Sequence, residues 1–168
     1  MNSKEFIVKY TISSDYSDKI DKIVKDFSLD KNLCWKWYEQ EKDLRTEINR
    51  IKSLYSSRKN DKEFGFKTID KFYFWYSSFN KCYYCETKFE DIKLLFEKTI
   101  KTNSGRGSNP EIDRKNPGKS IPYNSDTSVL SCYICNNSKS DLMDGDTFKE
   151  TIAPGIKKYY DLKLLELK

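Results

Sequence analysis

Two stretches decide how this chain is read: Glu111-Ile-Asp-Arg-Lys-Asn-Pro117, and Cys132-Tyr-Ile-Cys-Asn-Asn-Ser-Lys139. Residues 111–135 read as two short extended pieces around a loop, with a helix starting after them over 136–150. The second stretch carries a C-x2-C pair. An earlier pair, Cys82-Tyr83-Tyr84-Cys85, stands upstream, with forty-six residues between the two. Each C-x2-C turn presents two sulfurs on one side, so two turns can close a single tetrahedral thiolate site around Zn2+. Four thiolates leave no open position for water, which makes such a zinc structural rather than catalytic. It would stabilise a small domain whose own core is limited. The competing readings are a redox pair and a disulfide framework. A redox pair needs only one C-x2-C, and a reducing compartment disfavours disulfides. The fifth cysteine, Cys34, reads as a small buried hydrophobe.

Composition narrows the function classes. The chain has 168 residues, 37% hydrophobic and 34% charged, which suits one domain or a core domain with an appendage. No run of eighteen apolar residues exists, so no transmembrane helix and no membrane partner are expected. Residues 1–10 lack the basic-then-apolar pattern of a signal peptide, and the expected location is the cytoplasm. Histidine is absent, so imidazole supplies neither a general base nor a metal ligand. The net charge is +5. Lys98, Lys101, Arg106, Arg114, Lys115 and Lys119 face only Glu111 and Asp113 within residues 98–119. That local excess is either a solvated basic loop or a place where a phosphate backbone docks.

Outward from the motif, the first sixteen residues alternate (Phe6, Val8, Tyr10, Ile12), which predicts a short strand or an extended arm. Ile20, Ile23, Val24 and Phe27 recur at helical spacing, with Ser17 as the expected N-cap. Asp30 is expected to cap one long helix over 31–58. A very aromatic helix is predicted over 68–78, its stripe read as core rather than as a stacking platform. A helix is also expected over 89–101, followed by a Gly/Ser/Asn/Pro loop at 102–110, and a last helix over 156–167.

Taken together, Glu-Ile-Asp113-Arg114, Tyr123, Cys132-x2-Cys135-Asn136 and Lys139 resemble the HNH (ββα-metal) endonuclease family. The resemblance spans roughly residues 66–145. Within that family it is similar to the PacI-like restriction endonucleases, which carry Asp-Arg in place of Asp-His and a tyrosine before the second C-x2-C. The segment from Asp113 to Tyr123 is slightly longer here, and the family's central asparagine falls near Thr127, with Asn124 and Asp126 close by.

The resemblance implies an α+β fold. A ββα-metal core over 66–150 would be stapled by a Cys82, Cys85, Cys132, Cys135 zinc site. A mostly helical region (1–65) would precede it, for dimerisation or DNA contact, and a C-terminal helix (151–168) would follow. It implies Asp113 and Asn136 as ligands of one catalytic Mg2+ or Mn2+, both offering hard oxygen. Lys139 would support at the phosphate. Arg114 stands where the family's general base stands, yet a guanidinium cannot be deprotonated in a protein. Either the site is dead or another group activates the nucleophile. Tyr123 is that candidate, as base or as nucleophile, while Arg114 would clamp the scissile phosphate. Arg106, Lys115 and Lys119 would contact nucleic acid. The implied function is a divalent-metal-dependent endonuclease on double-stranded DNA, restriction-type and homodimeric. The alternative is a zinc-containing DNA-binding module without catalysis.

Overall fold

Asn2 opens the chain with a capping box: its Oδ1 accepts from the Glu5 amide and its own amide donates to Glu5 Oε2, each at 3.0 Å. Helix α1 (Ser3–Ile12) therefore replaces the strand or arm expected there. Its buried residues, Phe6, Ile7, Thr11 and Ile12, follow helical spacing, and of the alternating positions Val8 and Tyr10 are only half-buried. The computed structural model describes residues 1–102, 106–118 and 120–167.

Helix α2 (Ile20–Phe27) follows, with Lys19 and not Ser17 at its N-cap. Ser17 turns back instead, its Oγ donating to Thr11 O. Asp30 does cap α3 (Lys31–Gln40), accepting from the Leu33 amide at 2.7 Å. The long helix expected over 31–58 is broken at Glu41 (φ −94°, ψ 37°), and α4 (Lys42–Arg58) starts anew. The break lets both α3 and α4 pack on α1, and Glu41 is pinned by Ser3 Oγ at 2.6 Å. Helix α5 (Ile69–Ser77) carries the aromatic run. As expected it builds core: Phe72, Tyr73 and Tyr76 are buried, and Phe66, Phe72 and Trp75 form a ring cluster.

Two compact units result: residues 1–61 with 66–76, and residues 62–65 with 77 onward. Residues 66–76 thus belong with the N-terminal helices, whereas the resemblance places them in the core over 66–150.

The second unit contains α6 (Phe89–Lys98), β1 (Glu111–Arg114), β2 (Ser128–Ser131), α7 (Tyr133–Lys139), α8 (Gly145–Thr151) and α9 (Ala153–Leu165). Strands β1 and β2 form an antiparallel pair with Glu111 opposite Ser131 and Asp113 opposite Val129. Helix α7 follows β2 directly and packs on β1, while α9 packs against α6, α7 and α8. The core joins Tyr84, Ile92, Leu95, Phe148, Ile156 and Tyr160 to the four cysteines. Gly107, just before β1, has φ +124°, and a Cβ there would lie 1.9 Å from the Phe96 ring, so only glycine fits. The chain is accordingly α+β, predominantly helical with one small sheet. No described helix is long and apolar enough to cross a membrane.

Candidate functional site

Each C-x2-C pair sits on a turn that orients its sulfurs. Cys82 and Cys85 occupy a tight loop closed by the Lys81–Lys88 bridge, with Glu86 in the left-handed region (φ 59°) and its amide donating to Cys82 O. Cys132 is the N-cap of α7, its sulfur accepting from the Cys135 amide at 3.3 Å, and the Cys132 amide donates to Cys82 Sγ at 3.2 Å. The four sulfurs lie within 4.8 Å of one another and all four residues are buried. Cys85 and Cys132 stand 3.9 Å apart, close to the ~3.8 Å edge of a tetrahedron with Zn–S near 2.3 Å.

Among the thiols themselves, hydrogen bonding from Cys132 holds Cys85 low, and the same neighbour pushes Cys135 up. Thiols that share protons in this way are the donor set a cation would bind as thiolates. The Tyr160 hydroxyl is buried without a hydrogen-bond partner among the described residues. Burial raises its pKa, and the charge of Cys132 beside it raises it further. The cluster fits a metal ion such as zinc.

Helix α7 meets β1 at two polar rungs. Glu111 and Asp113 share a face of the strand, two residues apart. Asn136 Nδ2 donates to Glu111 Oε2 at 2.6 Å, and Arg106 Nη2 donates to the other oxygen at 2.7 Å. One helical turn on, Lys139 Nζ lies 3.2 Å from Asp113 Oδ2 and donates to Arg114 O at 2.8 Å. The Tyr84 hydroxyl also donates to Asp113 Oδ2, at 2.6 Å. Burial pushes the Asp113 carboxyl up, while Tyr84 and Lys139 pull it down.

The expected site residues therefore fall into separate pairs: Asp113 meets Lys139, while Asn136 meets Glu111. Lys139 is 1% exposed and engaged from within, not positioned at the surface for phosphate. Asp113 and Asn136 are bonded to different partners. Asp113 is buried, and its carboxylate is already shared by an ammonium and a phenol, so a divalent cation at Asp113 and Asn136 does not fit this arrangement. Asn124 serves the turn before β2, accepting from the Asp126 and Thr127 amides. Arg106 is exposed, ion-paired to Glu111 and stacked over Tyr133. Lys119 lies outside the described residues.

Arg114 and Tyr123 are brought together: the guanidinium lies 4.8 Å from the tyrosine ring centroid. Arg114 Nη1 donates to Glu63 Oε2 at 3.3 Å and to Ile121 O at 3.2 Å. Beside them a groove of about 530 Å³ is lined by Tyr83, Lys115, Asn116, Ile121, Asp126 and Asp146. The Lys115 ammonium has no ion-pair partner among the described residues.

Tyr84, Glu111 and Glu63 are the participants that sequence reading missed. Tyr84 was hidden inside the C-x2-C, and Glu111 was legible as the i−2 neighbour of Asp113 on the same strand face. Glu63 carried no local signal. No protein-family model, curated protein or solved structure matches the chain.

Proposed function

We propose that this chain is a zinc-stapled DNA endonuclease of ββα-metal architecture, cutting phosphodiester bonds in double-stranded DNA. One observation carries the reading: an arginine and a tyrosine, Arg114 and Tyr123, are stacked together on a hairpin whose following helix is fixed by four cysteines. In this reading the guanidinium grips the two non-bridging oxygens of the scissile phosphate. Tyr123 then supplies or activates the nucleophile. As nucleophile, its oxygen forms the bond to phosphorus while the P–O bond to the leaving sugar breaks; the phenol proton passes through water to that sugar oxygen, and a second water then hydrolyses the phosphotyrosine and restores the phenol. As base, its phenolate takes the proton of an attacking water whose oxygen bonds to phosphorus, the P–O bond to the leaving sugar breaks, and the phenol passes that proton to the sugar oxygen. Lys115 at the groove would track the DNA backbone. Two copies would bring one centre to each strand, so a homodimer fits a symmetric site.

In this reading Asp113 holds no Mg2+ or Mn2+, because it is already engaged by Lys139 and Tyr84. That same engagement favours a second reading, a DNA-binding module without catalysis. Plasmid DNA incubated with Mg2+, with Mn2+ and with excess chelator, beside Tyr123→Phe and Asp113→Ala, separates them. Discrete cuts lost in Tyr123→Phe support the nuclease. Cuts that persist in Tyr123→Phe remove the tyrosine mechanism, and binding without cuts supports the module.

A further inference from the structure

Residues 62–65, which lie in sequence between α4 and α5, run beside the Tyr123 segment as a short parallel strap. Phe64 forms a parallel bridge with Tyr123. The Tyr123 amide donates to Glu63 O at 2.6 Å, and the Gly65 amide donates to Tyr123 O at 2.8 Å. Gly65 permits the approach, since a Cβ there would lie 3.1 Å from Asn124 Cβ. The Phe64 side chain is buried.

The strap also delivers one charge. Glu63 Oε2 and Ile121 O both accept from the same nitrogen of Arg114, Nη1. The tyrosine ring covers the guanidinium. Among the described residues, Nε and Nη2 have no hydrogen-bond acceptor. A guanidinium has five N–H donors in a rigid fork, and its paired edge matches two oxygens of a phosphate. Tying down one nitrogen therefore fixes the plane of the fork and leaves the Nε/Nη2 edge for an oxyanion.

We infer that Glu63 is a positioning residue: the 62–65 strap presets Arg114 so that its Nε/Nη2 edge binds a phosphodiester in two-point fashion. This rests on the phosphate-gripping reading of Arg114 but not on catalysis. A charged side chain that merely competed with phosphate would act in the opposite direction, which makes the inference testable by sign.

The experiment uses the full zinc-loaded chain, labelled with 15N, and follows the Arg114 Nε–H signal, identified by its loss in Arg114→Lys. Dimethyl phosphate, a diester without bases, is the probe. Zinc content and circular dichroism establish that each variant is folded, and Glu63→Ala duplicates Glu63→Gln should either fail to fold. A saturable shift is expected in the parent chain, about fivefold weaker in Glu63→Gln, the order set by one partly exposed ion pair, and recovered in Glu63→Asp. Equal or tighter binding in Glu63→Gln overturns the inference, as does no saturable shift in the parent. DNA cleavage is read on the same samples. No cleavage with the Glu63 effect intact defeats the nuclease and leaves the inference standing; cleavage without any Glu63 effect does the reverse.

Discussion

Lys139 and Asp113 form an ion pair at 3.2 Å, with side chains 1% and 11% exposed. Lys139 arrives from the last turn of α7 and Asp113 from the middle of β1, so the pair ties helix to strand. A buried ammonium is tolerated only when acceptors surround it, and here Arg114 O and Ser140 O complete the set. Removing one partner leaves an uncompensated buried charge, which costs far more than the pair contributes. Lys139→Met is expected to destabilise the second unit by about 3 kcal/mol, measured by denaturant unfolding. A loss below the scatter of surface substitutions would show that water reaches Asp113.

The cysteine cluster predicts metal content. Purified chain should carry one zinc ion, read by elemental analysis. Removal by a strong chelator should unfold the second unit, because the ligands are brought together only in the folded chain. Cys135→Ser should lower zinc occupancy and the melting temperature together. A chain that stays folded with no metal would assign the cluster to packing alone.

In the first unit the side-chain caps at Asn2 and Asp30 are the simplest stability test. Asn2→Ala and Asp30→Ala each remove an acceptor from a helix N-terminus, and each should cost about 1 kcal/mol. The helices they cap, α1 and α3, pack on each other, so the double variant is expected to deviate from additivity. Thermal unfolding of the single and double variants measures both effects.

Asp144 caps α8, and the amide of Thr147 holds its carboxyl below the usual carboxylate range, helped by the Thr147 hydroxyl. A depressed folded pKa contributes stability above the unfolded value. That stability is lost as pH falls through the folded one. The Thr147 amide resonance should therefore titrate with a midpoint below about 3.9. A midpoint at or above that value would mean the cap is not formed in solution.

Much of the second unit was legible because its signals are local. The two C-x2-C pairs announced a tetrahedral sulfur site, and the extended pieces flanking a polar loop became β1 and β2. The aromatic run over 68–78 formed core, as its stripe implied. Asp30 announced its helix because an N-cap acts over three residues. The failures are of another kind. The alternation of Phe6, Val8, Tyr10 and Ile12 yielded to a capping box and to burial of Ile7, which a period of two places on the wrong face. The break at Glu41 answers to packing on α1, beyond any window along α3 or α4. Lys139 looked like a phosphate ligand by its place in the motif. Its burial depends on Asp113 and Arg114, twenty-five and more residues away in the chain. Glu63 lies fifty-one residues before Arg114 in the chain, and only the parallel bridge between Phe64 and Tyr123 brings it there.

The pairing of the sulfur ligands across the chain has a mechanical corollary. Cys82 and Cys85 lie on one side of α6 and β1 in sequence, and Cys132 and Cys135 on the other. A protease cut anywhere between Glu86 and Ser131 would therefore yield two pieces still clasped through one ion. Under native conditions with metal bound, the nicked chain should migrate as one body, and it should come apart when the ion is withdrawn.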